Sequence, residues 1–237
     1  MRVRGEWPNP VAIHRGWARA VARPWNRSRS DAHLRLIRGS SSFLTQAADT
    51  VLALGASAVI SPPLLTGPQQ VWRAAGFASY TSLHLLRKPL TGEEPVEATV
   101  RDLGDGAWAR VVAIDAAAFG DDWKAELPAL VEALRSAPAS ALLGIGTGDE
   151  RAPAGFAIVA ASSQTGYLQR IAVHPDDHRR GYGRALTRAC HNWARRRGAR
   201  VMILNTKPDN APALSLYRAE GYTMLPDRLE LLRYPGR

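Results

Sequence analysis

The 237-residue sequence predicts an α+β fold: a large C-terminal domain over residues 97–237, preceded by a smaller β-α-β-α-β unit over residues 28–88. Three observations carry this. Tyr167–Ala189 (YLQRIAVHPDDHRRGYGRALTRA) reads as strand, glycine-punctuated basic loop and helix. Strand-like runs and helical stripes alternate through the rest of the second half. The first half repeats both the element order and part of the sequence of the second.

Residues 1–27 form a basic segment. Residues 1–90 hold 12 Lys/Arg against 3 Asp/Glu, while the remainder holds 19 against 18. Trp7, Trp17 and Trp25 lie among these arginines, where they suit packing or stacking on nucleic-acid bases. His33–Arg38 reads as a strand. Phe43–Leu54 reads as a helix with Leu44, Ala47, Ala48, Val51 and Leu52 apolar, ended by Gly55. Ala58–Ile60 is a strand stopped by Pro62-Pro63, Gln69–Ala75 a short helix and Tyr80–Arg87 a strand. VWRAAGF at 71–77 matches LYRAEGY at 216–222, with Trp72 standing at Tyr217. Residues 89–96 (PLTGEEPV) form a linker of turn-forming and acidic residues.

In the larger domain Ala98–Leu103 alternates as a first strand, and Gly104-Asp105-Gly106 turns the chain. Trp108, Val111, Val112, Ile114 and Ala118 give a helical stripe up to Phe119-Gly120. Asp121-Asp122 opens a second helical stretch with Leu127, Leu130, Val131 and Leu134, and capping is the simplest role for those two aspartates. Ala141–Thr147 and Ala154–Ala161 are the next strands, the latter apolar enough to be buried on both faces. Tyr167–Val173 is stopped by Pro175. After it, Leu186, Ala189, Cys190 and Trp193 recur at helical spacing, up to Gly198. Arg200–Asn205 is a strand, Asn210 opens a helix carrying Pro212 in its first turn, and Met224–Tyr234 closes the sheet.

The loop between the motif strand and its helix suits an anion. A helix N-terminus has unpaired N–H groups and partial positive charge. Gly181 and Gly183 remove Cβ atoms, and Arg179, Arg180 and Arg184 add charge. The run RIAVHPDDHRRGYGRAL resembles the cofactor motif of the GCN5-related N-acetyltransferase (GNAT) family, Gln/Arg-x-x-Gly-x-Gly/Ala, with His178, Gly181 and Gly183 in the pattern and His178 a departure. Asn210, Leu214, Leu216, Tyr217, Gly221 and Tyr222 match the family's second motif, and the resemblance covers roughly residues 97–237.

That resemblance implies a mixed, mostly antiparallel central sheet flanked by helices, and a catalytic GNAT domain over 97–237. It also makes 28–88 a degenerate half-domain: between its first strand and helix lies only Gly39-Ser40-Ser41-Ser42, too short to wrap a pyrophosphate. The implied reaction is acetyl transfer from acetyl-CoA to a primary amine, by direct attack in a ternary complex. Ile171, Ala172 and Val173 would meet the pantetheine arm, and His178, Arg179, Arg180, Gly181, Tyr182, Gly183 and Arg184 the pyrophosphate. Asn210 would hydrogen-bond the arm, and Tyr217 would both line the cofactor and act as general acid. Phe119, Asp121, Asp122, Trp123, Gln169 and Asn205 fall on the acceptor side. Relatives acting on protein N-termini often carry a glutamate where Asn205 stands, so His174 or a water is left as base.

Cys190, the single cysteine, leaves no internal disulfide, and no metal cluster is expected. No apolar run spans a membrane and no secretory signal is read, which suits a cytoplasmic protein. Two other readings stay open: a CoA-binding regulatory module without turnover, and a nucleic-acid- or ribosome-associated protein using the basic first half or an acidic partner. Nothing in the sequence identifies the amine or sets an oligomeric state.

Overall fold

The computed structural model describes residues 1–27, 30–146 and 152–236, the side chains of Arg27 and Asp122 aside. Two compact units divide the chain, Met1–His84 with Pro226–Arg237, and Leu85–Leu225.

In the first unit β1 (Arg2–Arg4), β2 (Val11–Arg15), β3 (Ala18–Pro24) and β4 (Ala32–Arg38) form an antiparallel meander. After α1 (Ser41–Ala53), β5 (Ala58–Ile60) pairs with β4 in parallel; α2 (Thr66–Ala74) and β6 (Ala78–Pro89) follow. Residues 1–27, expected as a segment outside the half-domain, are thus mostly strand. Val11, Ile13, Ala18, Ala20 and Ala22 alternate inward and pack with Phe43, Leu44, Ala47 and Val51 of α1. Alanine is a weak strand former, and arginines fill the outward positions, so the alternation is faint in the sequence. Ser28, the predicted start of the half-domain, lies outside the described residues.

The second unit contains β7 (Val100–Asp102), α3 (Trp108–Trp123), α4 (Leu127–Leu134), β8 (Ala139–Ile145), β9 (Gly155–Ser162) and β10 (Thr165–Val173). Then come α5 (Tyr182–Arg195), β11 (Val201–Thr206), α6 (Ala211–Ala219) and β12 (Thr223–Pro235). Its sheet is mixed and mostly antiparallel: β7, β8, β9 and β10 pair antiparallel, β10 and β11 parallel, and the Leu85–Pro89 end of β6 follows β11. β9 explains the two-sided core. Phe156 and Ile158 pack with Val111, Ile114 and Leu130 of α3 and α4, while Ala157, Val159 and Ala161 join Leu186, Cys190, Leu214 and Tyr217 of α5 and α6. A strand covered on both faces has no polar face, hence its unbroken apolar run.

Several boundaries differ from the sequence expectation, among them α2, which starts at Thr66, and β6, which runs from Ala78 to Pro89. β7 is shorter than Ala98–Leu103, and β8 starts at Ala139, its expected end at Thr147 falling outside the described residues. The helical stretch expected to open at Asp121-Asp122 starts at Leu127, because Gly120 (φ 62) breaks α3 and Lys124 leaves it in extended backbone. From Pro226 on, β12 belongs to the first unit. It pairs with β5 through Arg233↔Ile60, and it buries Leu232 beside Trp72 and Phe77.

The ends of α2 and α6 repeat one another. Gly76 (φ 93) and Gly221 (φ 81) both take the left-handed conformation after the helix. Phe77 N–H donates to Trp72 C=O at 3.1 Å, and Tyr222 N–H to Tyr217 C=O at 2.9 Å. The paired rings follow suit, Trp72–Phe77 at 4.9 Å and Tyr217–Tyr222 at 5.5 Å.

Candidate active site

β10 and β11 part company early. Their parallel pairing covers only Thr165↔Val201, Gly166↔Met202 and Tyr167↔Ile203. A one-residue register shift between Leu168 and Arg170 then makes Gln169 a bulge against β9. From there β10 keeps β9 on one side and has no strand on the other. His174 N–H donates to Ala154 C=O at 2.8 Å, so alternation turns the backbone groups of Ala172 to β9 and those of Ile171 and Val173 to the vacated side. The Ala172 methyl is buried beneath α3. Of the three expected contact residues, the structure therefore presents the backbone of two.

Beyond β10 a short 3-10 turn, Pro175–Asp177, leads to the glycine loop. The His178 ring meets the Val173 C=O through Nε2 at 3.1 Å, folding the loop back onto the strand end. Arg179 (φ 62) and Gly181 (φ 78) are both left-handed. Gly181 is the N-cap of α5, no side chain caps it, and a Cβ there would meet nothing within 4 Å. The first N–H groups of α5 consequently point out of an open helix end. Gly183 has a different reason: a Cβ would lie 3.3 Å from Leu216 of α6, so glycine lets the two helices approach. Arg180 pairs with Asp177 at 3.1 Å, and Arg184, half exposed, pairs with the buried Glu220 at 3.0 Å. Asn210 caps α6, its Oδ1 accepting from Ala213 N–H at 3.3 Å.

The start of α1 offers no such opening. Ser40 Oγ accepts from Phe43 N–H at 3.3 Å, and a Cβ on Gly39 would strike the Phe43 ring at 2.5 Å. One helix end is capped and covered by its own chain, the other is bare.

Tyr217 is buried on α6, and burial, with a smaller push from Cys190, holds its phenol well above the usual tyrosine range. Beside Tyr217 lies a polar network that sequence reasoning missed. His191 Nδ1 meets Glu94 Oε2 at 2.7 Å, and its Nε2 meets Tyr222 Oη at 2.7 Å. Lys88 Nζ meets Glu94 Oε1 at 2.5 Å, and Asn192 bonds both the N–H and the C=O of Glu94. The linker is thereby fastened to α5. Burial pushes His191 below the ordinary histidine value against the pull of Glu94. The ring is then neutral, donating from Nδ1 to the carboxylate and accepting from Tyr222. Burial pushes Glu94 up, but Lys88 and His191 outweigh it and the carboxyl sits below its usual range.

Both shifts destabilise the fold in acid. An unfolded histidine takes a proton near pH 6.5, whereas the folded ring resists it to lower pH, so stability falls as pH drops below about 6.5. Glu94 stabilises above its unfolded value of about 4.3, and that contribution disappears as pH falls through its lower folded value. Urea midpoints should therefore decline from pH 7.5 to pH 5.5, and His191→Gln should flatten that decline; equal declines in both proteins would count against the network.

Between α3 and the bulge of β10, Arg170 and Asp115 form a second unforeseen feature. Arg170 Nε meets Asp115 Oδ2 at 2.6 Å and Nη2 meets Oδ1 at 2.8 Å, with Asp115 fully buried. Arg170 also donates to Trp123 C=O at 2.8 Å and stacks 3.5 Å over the Phe119 ring, while Asp115 accepts from Ala125 N–H at 2.7 Å. One ion pair at the bulge thus holds the turn carrying Phe119 and Trp123. Gln169 Nε2 donates to Ser136 Oγ at 2.5 Å. Asn205 is exposed near the end of β11, and Asp121 pairs with Lys124 at 2.8 Å instead of capping a helix. His174 Nδ1 is occupied by its own turn, accepting from Asp176 N–H at 3.4 Å. Part of the signal for the ion pair was available: Asp115 is an acid inside an apolar helical stripe.

Two open grooves, about 540 and 560 Å³, run beside β7, Trp193, Arg196 and Arg197, and neither is lined by residues 171–184. Among the described residues no His, Cys, Asp and Glu cluster is placed to hold a metal ion, and no helix is long and apolar enough to cross a membrane.

Residues 108–222 match the Acetyltransferase (GNAT) family. A mycothiol acetyltransferase of Rhodococcus opacus is 30% identical over 181 residues, 67% of this chain and 58% of its own length. The [Ribosomal protein bS18]-alanine N-acetyltransferase of Escherichia coli is 36% identical over 69 residues, 29% of this chain and 47% of its own length. The chain thus spans about half the length of the curated relatives it matches. Among solved structures, a tandem GNAT protein from the clavulanic acid biosynthesis pathway has a TM-score of 0.66 at 12% identity, covering 96% of this chain and 82% of its own. A GCN5-related N-acetyltransferase of Kribbella flavida has a TM-score of 0.59 at 18% identity, covering 100% and 90%. With its matched sequence, its mostly antiparallel sheet parting between β10 and β11 and its flanking helices, Leu85–Leu225 has the GNAT acetyltransferase fold.

Proposed function

We propose that this protein transfers an acetyl group from acetyl-CoA to a primary amine. One observation carries the reading: a strand that has left its neighbour runs into an uncapped helix end whose first glycine is left-handed and faces open space. The residues present fit acetyl-CoA. The open N-terminus of α5 suits a pyrophosphate, helped by Arg179 and Arg180. Arg184 would contribute only by sharing its charge with Glu220. The vacated edge of β10, at Ile171 and Val173, suits an amide-bearing arm laid alongside like a further strand. Bound there, the co-substrate would supply an acetyl thioester.

This chain's own groups would then position and polarise. The Val173 N–H, on the open side, would donate to a carbonyl oxygen gaining charge. Tyr217 would hold its proton at Oη and give it to a sulfur leaving as thiolate. Burial raises the phenol, but it would equally raise a thiolate formed beside it, so the transfer stays near balance. Asn205 cannot take the amine's proton, which leaves that task to water. Phe119 and Trp123, held by Arg170 and Asp115, would wall the acceptor. In a direct transfer most of the acceleration is orientation, worth about 7–11 kcal/mol in favourable cases.

The N-terminal unit fits a degenerate half-domain: it keeps the α2 cap and the Trp72–Phe77 pair, yet its α1 end is capped by Ser40 and covered by Phe43. Calorimetry with acetyl-CoA should therefore find one site per chain. Gly181→Val, which strains a left-handed position by about 1–2 kcal/mol and fills the open side, should abolish it. Two sites, or unchanged affinity in the variant, would defeat this assignment.

A further inference from the structure

The outward face of the N-terminal sheet carries exposed arginines from three of its four strands. Strand pairing sets Arg2 beside His14, His14 beside Arg19, and Arg19 beside Arg38, one row across four strands. A second row on the same face runs Arg4, Ala12, Val21, Arg35. The opposite face is the buried one, with Val11, Ile13, Ala20, Ala22 and Leu34 in the core, and Arg2, Arg4, Arg19, Arg35 and Arg38 are all exposed. Arg19 and Arg38 are direct cross-strand neighbours, a relation that sets side chains only about 4.5–5.5 Å apart and in which like charges oppose folding. Few carboxylates share their half of the sequence. Residues 1–90 contain Glu6, Asp31 and Asp49 alone; Asp31 is buried, Asp49 accepts from Tyr234 on α1, and Glu6 sits in the β1–β2 connection. Among the described residues those five arginines make no ion pair. At the rim, in the β2–β3 turn, Trp17 is 66% exposed.

We propose that this face binds single-stranded RNA. A face of five exposed arginines without ion-pair partners is a cost that an anionic partner removes. Eleven of the twelve cations in residues 1–90 are arginine, which forks onto phosphate and stacks on bases where lysine does neither. A sheet face with an exposed indole in its β2–β3 turn offers unpaired bases a stacking platform, which an acidic peptide or a lipid headgroup would not use. Sequence preference is not expected, because nothing on the face is arranged to read base edges. The proposal is independent of acetyl transfer.

The test is fluorescence anisotropy of the full chain with a labelled 20-nucleotide single-stranded RNA, titrated with salt. Each phosphate contact on a single strand contributes a slope of about −0.7 in log affinity against log salt. Arg19→Gln/Arg35→Gln/Arg38→Gln should flatten the slope by about 2 and weaken binding about 100-fold at 0.1 M salt. Folding is checked by thermal melting and acetyl-CoA affinity, both expected unchanged or, for melting, raised. Trp17→Ala should weaken binding while keeping the salt slope. No binding at low salt, wild-type binding by the triple variant, or equal binding to poly-glutamate or phosphatidylserine vesicles would each overturn the proposal.

Discussion

Arg170→Met should destabilise the fold by about 3–5 kcal/mol, because it strands the Asp115 carboxylate, fully buried on α3, without its counter-charge. The effect should exceed that of an exposed ion pair such as Lys124–Asp121, which solvent screens. Adding Asp115→Asn should restore much of the loss: it removes the orphaned charge and keeps an oxygen for Ala125 N–H. Urea unfolding of the two single variants and the double measures this as a cycle. A loss under about 1 kcal/mol for Arg170→Met would mean that the pair does not hold the turn. The same variant should raise the amine's KM more than that of acetyl-CoA, since Arg170 holds the turn carrying Phe119 and Trp123, the proposed acceptor wall.

Tyr217→Phe should lower kcat by about 10²–10⁴-fold with little change in acetyl-CoA affinity. The phenol is raised by burial, so it is fully protonated at neutral pH and its hydroxyl matters only when a thiolate forms. The ring itself packs against Tyr222 and the α5 face, contacts that phenylalanine keeps. Single-turnover kinetics separate the chemical step from release. An unchanged chemical rate would remove Tyr217 from the reaction and leave it as a packing residue.

Local signals made the motif region legible. Gly181, Gly198 and Asn210 mark helix ends through backbone conformation or capping, and all three occur where expected. β9 was readable because double-sided burial forces an apolar run. The first three strands were not, since alanine-rich alternation behind arginine resembles a solvated basic segment. Gly120 was read as a helix end and acts as one, but the turn after it is organised by Arg170, 50 positions further along the chain. No local pattern encodes such a partnership. The same holds for the Glu94–His191–Tyr222 network and for Glu220, which binds both Arg184 and Arg188: each depends on elements brought together by the sheet. Gly183, expected to give a phosphate access to the backbone, has a packing reason in the structure: it lets α5 and α6 approach.

Thiol release from acetyl-CoA, followed with a panel of primary amines spanning amino acids, amino sugars, polyamines and peptides, tests the central claim most directly. The expected result is amine-dependent release of one thiol per acetylated product, abolished by Gly181→Val and reduced at least about 100-fold by Tyr217→Phe. Acetyl-CoA binding without amine-dependent release across the panel would contradict it and make the α5 loop a binding site without turnover.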